Sequence, residues 1–357
     1  MVSIRGVPII IRIVRLRALG IILVLVAVIG MACANEPQVA DRDIHVPNTI
    51  SSEAQQLLAQ LDLNKGYTRT VPSTDDPAVW RLFYDGIEAT LKEGGDKAIT
   101  ANNVTVIKAN LGGTPVLDIR PENWTDNGKV LVYTHGGAYT LFSAHSTLGN
   151  SAAMSRTSGL RVISVDYTTP PFARWEEIQE QVISVFEALL DEGYTMDDIA
   201  IFGDSAGGGL TTSTVLNLRD RGMGMPKVVF LMAPWVDLTN EGDTAHTLAD
   251  EDPSLDYTGL LEPSAQLYAD GLDLSDPRVS PINADFSQGF PPTLIQAGTK
   301  EIFLSTAVRL YQKLLAEDQD ATLDVYEGMP HVFQQFPIPE AQVAFDRASV
   351  FINMHLK

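Results

Sequence analysis

The sequence predicts an α/β fold: an eight-stranded, mostly parallel sheet with helices on both faces and a helical cap. Three observations predict it. After Thr100 the chain breaks into short apolar runs of strand length. The first two runs are close enough to pair as a hairpin, and the later ones are separated by helical stretches long enough for the crossovers that parallel pairing needs. Strands alternating with helices in this way argue a sheet covered on both faces.

The N-terminus comes first. Arg5, Arg12, Arg15 and Arg17 make a basic region, and an uncharged apolar run follows from Ala18 to Ala34, ending in Ala32-Cys33-Ala34. Residues 1–34 therefore read as an export signal. Ala32 and Ala34 suit ordinary cleavage before Asn35, whereas Met31-Ala32-Cys33 resembles a lipoprotein site that would lipidate Cys33. A retained anchor is the third reading, since the run is at the short end of what spans a bilayer. All three export the body, leaving it periplasmic, membrane-anchored as a lipoprotein, or secreted.

Residues 35–100 form an N-terminal helical cap segment. One helix is expected from Ser51 and a clearer one from Pro77, with Asp76 as N-cap, Val79, Leu82, Phe83, Ile87 and Leu91 as its apolar positions, and Gly94-Gly95 as its terminator. Residues 101–357 form the main domain. Its predicted strands are Val104 to Ala109, Pro115 to Ile119, Val130 to Thr134, Val162 to Asp166, Ile199 to Gly203, Val228 to Ala233, Thr293 to Ala297 and Leu323 to Tyr326. A helix from Arg174 to Leu190 sets Trp175, Ile178, Val182, Val185, Phe186 and Leu189 on one face. Glu241 to Leu272 is acidic, carries Pro253 and Pro263, and reads as a further cap contribution over the C-terminal edge of the sheet.

The chain of 357 residues carries a formal charge of −20, and the four arginines before position 34 leave the remainder more acidic still. Such a surface repels phosphate backbones, so nucleic-acid binding is disfavoured and a small neutral or cationic partner fits better. With one cysteine, Cys33, no intramolecular disulfide or Cys-rich metal site can form, and the six histidines are scattered. No metal cofactor is expected. Homo-oligomerisation stays open.

The chemistry lies in four places. Gly203-Asp204-Ser205-Ala206-Gly207 is a G-x-S-x-G motif between an apolar strand and a small-residue helix, the context in which a serine sits on a strained turn as nucleophile. His135-Gly136-Gly137-Ala138 follows the third strand, where adjacent glycines leave backbone N–H groups free to face a developing negative charge; Gly136 and Gly137, with Ala206, are the expected oxyanion donors. His135 is expected to brace that loop and not to act as the base. His331, after the last strand, is the expected general base, and Glu301, the first carboxylate beyond the seventh strand, its orienting acid. Asp276 and Asp285 precede that strand and are expected to lie elsewhere.

These residues resemble the bacterial hormone-sensitive-lipase-like esterases, often called family IV, which belong to the α/β-hydrolase superfamily. The matching pieces are His135-Gly136-Gly137, Gly203-Asp204-Ser205-Ala206-Gly207, Asp276-Pro277-Arg278-Val279-Ser280-Pro281, Glu301 and Met329-Pro330-His331-Val332-Phe333. The resemblance implies an α/β-hydrolase fold with a helical cap, no cofactor, and hydrolysis of short to medium acyl esters or lactones. The residue pattern then reads as a serine carboxylesterase working through an acyl-enzyme intermediate. A lactone or amide hydrolase with the same triad, or a non-catalytic binding protein on this scaffold, are the alternatives. The chain departs from the family at Ala138, where a third glycine is usual, and at Thr168-Thr169-Pro170-Pro171-Phe172, where an Arg-Leu-Ala-Pro-Glu-like stretch is usual.

Overall fold

The computed structural model describes residues 44–62, 71–72 and 76–357. The export segment and Cys33 lie outside the described residues, among which no helix is long and apolar enough to cross a membrane.

The eight strands are β1 (Val104–Leu111), β2 (Thr114–Pro121), β3 (Val130–Thr134), β4 (Arg161–Val165), β5 (Ile199–Asp204), β6 (Val228–Met232), β7 (Thr293–Lys300) and β8 (Ala321–Pro330). They form one sheet in the order β1-β2-β4-β3-β5-β6-β7-β8. β1 and β2 pair antiparallel as the expected hairpin, β2 is antiparallel to β4, and all remaining pairs are parallel. The reversal of order between β3 and β4 leaves β5 near the middle, with β3 and β6 beside it.

Side chains alternate across the pleat and build two cores. Val130, Val132, Ile201, Val229, Leu231 and Ile295 face one way, toward α4 (Trp175–Asp191), α5 (Ala206–Asp220) and α8 (Leu304–Ala316). Leu131, Tyr133, Phe202, Val228 and Phe230 face α3 (Leu148–Ser158) and α9 (Pro339–His355). The face expected for α4 is the face it buries, with Trp175 at its margin.

The N-terminal helices sit differently from one another. α1 (Ser52–Asp62) is tied to the start of α9, Ser51 N–H and Oγ–H donating to the two Glu340 carboxylate oxygens at 2.8 Å each. Ala54 joins Tyr326, Met329 and Phe333 in a small core beside the end of β8. α2 (Pro77–Asn102) is capped by Asp76, whose carboxylate accepts Ala78 N–H. Its first turns reach the loop after β3, Tyr84 O–H donating to Phe142 O at 2.7 Å, and its last turns run along α3 to Asn102, which accepts from Arg156.

Gly94-Gly95 does not end that helix, contrary to the sequence expectation. A Cβ at Gly95 would run into the His145 backbone carbonyl, so this glycine permits close packing against the start of α3. The stop comes at Asn103, in the left-handed region with φ 52°, whose N–H caps Ile99 O and Thr100 O.

Between β6 and β7, residues 241–272 carry α6 (Asp243–Thr247) and α7 (Glu262–Ala269). They are fixed to the loops at the C-terminal ends of the strands: Ser264 Oγ lies 2.8 Å from Thr140 Oγ1, and Tyr257 O–H donates to Leu238 O at 2.8 Å.

Candidate active site

Ser205 stands between β5 and α5 with φ 53° and ψ −124°, a conformation that costs a non-glycine residue about 1–3 kcal/mol. Two hydrogen bonds hold it there: Ser205 N–H to Met232 O at 2.9 Å and Trp235 N–H to Ser205 O at 2.8 Å. The flanking glycines make the turn possible. A Cβ at Gly203 would overlap the Gly207 carbonyl, and one at Gly207 would overlap Thr134 O and His135 O at the end of β3. Ser205 is also the N-cap of α5, so positive helix-end potential bears on its side chain and on any anion bound beside it.

The loop after β3 folds over this turn. Gly137 takes φ +115°, and Ala138, Tyr139 and Phe142 also have positive φ. Such a run of left-handed residues needs outside support. Tyr139 stacks on Tyr268 of α7 with ring centroids 3.7 Å apart, and Thr140 meets Ser264 as above. His135 is wholly buried, donates from Nδ1 to Gly136 O at 2.7 Å, and stacks on Tyr167 at 4.1 Å. Burial pushes the His135 imidazole pKa down, which favours the neutral ring.

One expected donor is corrected. Gly136 N–H donates to Asp204 Oδ1 at 3.1 Å, and the same oxygen accepts Tyr133 O–H. Gly136 N–H is therefore taken, and its missing side chain serves another end, since a Cβ there would overlap Asp204 Oδ2 and approach Ser205 Cβ at 3.1 Å. Among the described residues the N–H groups of Gly137, Ala138 and Ala206 make no hydrogen bond. Spacing in the sequence cannot reveal which N–H a neighbouring carboxylate has already claimed.

Glu301 and His331 meet beyond the ends of β7 and β8. Glu301 Oε2 lies 2.7 Å from His331 Nδ1, and Glu301 Oε1 accepts Gly298 N–H at 2.6 Å. Glu301 is fully buried and His331 exposes 6% of its surface. The backbones of the two loops touch closely, for a Cβ at Gly298 would overlap Met329 O. Phe303 bridges this pair to the serine turn: its ring stands edge-on to His331 at 5.2 Å and stacks on Trp235 at 5.6 Å, the residue whose N–H holds Ser205 O. Asp276 is elsewhere, paired with its own neighbour Arg278 at 2.7 Å.

Asp204, Trp235 and Phe303 were not singled out from sequence. Asp204 is the variable position of a motif defined by its glycines, and burial raises its carboxyl pKa. The Thr168 to Phe172 stretch lines a cavity of about 220 Å³ with Arg81 and Tyr84 of α2, where the Arg81 guanidinium lies 4.1 Å over the Phe172 ring. Among the described residues no group of three or more His, Cys, Asp or Glu side chains is arranged to hold a metal ion.

Comparison with known proteins agrees with this architecture. Residues 131–335 match the alpha/beta hydrolase fold family. The chain is similar to an acetyl-hydrolase of Streptomyces hygroscopicus, 32% identical over 66% of this chain and 78% of the relative, and to an esterase of Acinetobacter venetianus, 33% identical over 60% and 72%. Among solved structures it resembles esterase E25, with a TM-score of 0.82 and 29% identity over 91% of this chain and 100% of that one. It also resembles a hormone-sensitive lipase from a metagenome library, with a TM-score of 0.78 and 27% identity over 86% and 100%. Through the stretch that carries the central strands, the serine turn and the histidine loop, the chain belongs to the α/β-hydrolase fold family, where its structural neighbours are bacterial esterases of the hormone-sensitive-lipase type.

Proposed function

We propose that the protein is a serine carboxylesterase that hydrolyses short to medium acyl esters. One observation carries the reading: a fully buried carboxylate fixed on the Nδ1 side of a histidine whose ring is linked through Phe303 and Trp235 to a strained serine at a helix N-terminus. With Glu301 on Nδ1, His331 presents Nε2 as the base. It takes the Ser205 proton as Oγ attacks the ester carbonyl, and Glu301 stabilises the imidazolium. The carbonyl oxygen becomes an oxyanion held by Gly137, Ala138 and Ala206 N–H, aided by the α5 terminus. His331 returns the proton to the departing alcohol; a water activated by the same ring then attacks the acyl-enzyme and frees the acid.

The acidic surface favours a neutral ester, and the name of the Streptomyces relative supports the short end of the acyl range. The first turns of α2 and residues 241–272 serve as the cap, and residues 1–34 carry the enzyme out of the cytoplasm. A lactone would use the same groups. The test is a series of p-nitrophenyl esters from acetate to laurate on purified protein. The reading expects the highest kcat/KM between acetate and hexanoate; turnover no faster than that of Ser205→Ala across the whole series would overturn it.

A further inference from the structure

The acid loop has a second carboxylate beneath it. Residues 243–255 wrap onto the turn that follows β7: Thr244 Oγ1–H donates to Ile302 O at 2.8 Å and accepts Ser305 N–H at 2.8 Å, while Lys300 lies 3.9 Å from Glu251. Between these contacts Asp252 is 1% exposed and uses both carboxylate oxygens. Oδ1 accepts Ser254 N–H at 2.7 Å and Leu255 N–H at 3.0 Å; Oδ2 accepts Ile302 N–H at 2.9 Å.

A buried carboxylate is costly, and these three donors offset the cost. Two of them belong to its own turn. The third is the peptide N–H directly after Glu301. Because a peptide is planar, fixing Ile302 N–H fixes the Glu301 carbonyl and constrains the Glu301 Cα. Glu301 is thus gripped at both ends, by Gly298 N–H on its carboxylate and by Asp252 through its main chain, with Oε2 left to face His331.

We propose that Asp252 is a positioning residue of the triad, holding the Glu301 main chain through Ile302 N–H and so setting the aim of the Glu301 carboxylate on His331. The inference rests on the triad reading given above. The charged groups that bear on Asp252 are His331 and Glu301, with the Lys300–Glu251 pair at the flank. Burial raises its carboxyl to about 6 against the opposing pull of His331.

Asp252→Asn keeps the shape but supplies one oxygen. If that oxygen stays with Ser254 and Leu255, an NH2 group faces Ile302 N–H and the anchor is lost. The experiment compares the purified wild-type chain, Asp252→Asn, Glu301→Gln and the double variant on p-nitrophenyl acetate, with thermal unfolding of each. Asp252→Asn should stay folded and lower kcat roughly 10- to 100-fold with KM within about twofold. In the Glu301→Gln background it should cost less than about twofold, because its effect runs through Glu301. A kcat within twofold of wild type overturns the proposal, as does an equal loss in both backgrounds. Asp252→Ser, whose hydroxyl can still cap its own turn but leaves Ile302 N–H unpaired, gives the same comparison should the asparagine variant not fold. Failure of the triad reading looks different: Glu301→Gln itself would run near the wild-type rate, and both proposals would fall together.

Discussion

Glu301 Oε2 lies 2.7 Å from His331 Nδ1, and the other oxygen of the same carboxylate takes Gly298 N–H at 2.6 Å. The carboxylate therefore has one free direction, and the imidazole fills it. Glu301→Gln preserves the shape but removes the charge that holds the imidazolium, and should lower kcat by about 10³- to 10⁴-fold. Asp276→Asn should leave kcat within about twofold, since Asp276 is occupied with Arg278. Steady-state kinetics on the two variants check this, and the reverse order would remove Glu301 from its role.

Asp204 Oδ1 serves two buried donors, Tyr133 O–H and Gly136 N–H. Asp204→Leu strands both and should destabilise the fold by about 2–5 kcal/mol, whereas Asp204→Asn retains an oxygen and should cost far less. Urea unfolding of the two variants measures the gap. Equal stabilities would mean that the carboxylate does not organise the loop after β3.

Gly94 and Gly95 should respond to alanine with opposite signs. A Cβ at Gly94 meets nothing within 4 Å, so Gly94→Ala should stabilise by about 0.5–1 kcal/mol through helix propensity. At Gly95 the Cβ overlaps His145 O, and Gly95→Ala should lower Tm by loosening α2 from α3. Thermal unfolding reads both.

Asp252 makes stability depend on pH. Its folded carboxyl titrates at about 6, above the ordinary 3.8, so the folded state holds the proton more tightly than the unfolded chain does. The resulting contribution is fully present below about pH 4 and is lost as pH rises through 6, a swing of about 3 kcal/mol. Asp252→Asn does not titrate there. The stability of wild type relative to the variant should fall by that amount between pH 4 and 7 in denaturant titrations; a constant difference would contradict the buried carboxyl.

What could be read from the chain and what could not follow from range. Strands such as Val130 to Thr134 and Val228 to Met232 announce themselves because burial on both faces forces continuous apolar runs. The serine turn is legible because Gly203 and Gly207 are local steric requirements at fixed spacing. Spacing alone makes Gly136 an expected oxyanion donor, but the Asp204 carboxylate that takes its N–H arrives from another strand. Asp252 is one acidic residue among several in the segment read as a cap contribution, and only the fold brings it to Ile302.

In the proposed reaction Ser205 forms the covalent intermediate. The most direct test is mass analysis of wild type and Ser205→Ala after exposure to diethyl p-nitrophenyl phosphate, with ester hydrolysis measured on the same samples. One diethylphosphoryl group is expected on the wild-type peptide containing Ser205, with loss of activity in step. The Ser205→Ala chain should be folded, unlabelled and slower by at least about 10³-fold. A variant that keeps more than a few per cent of wild-type turnover, or a label on another residue with Ser205 untouched, would contradict it.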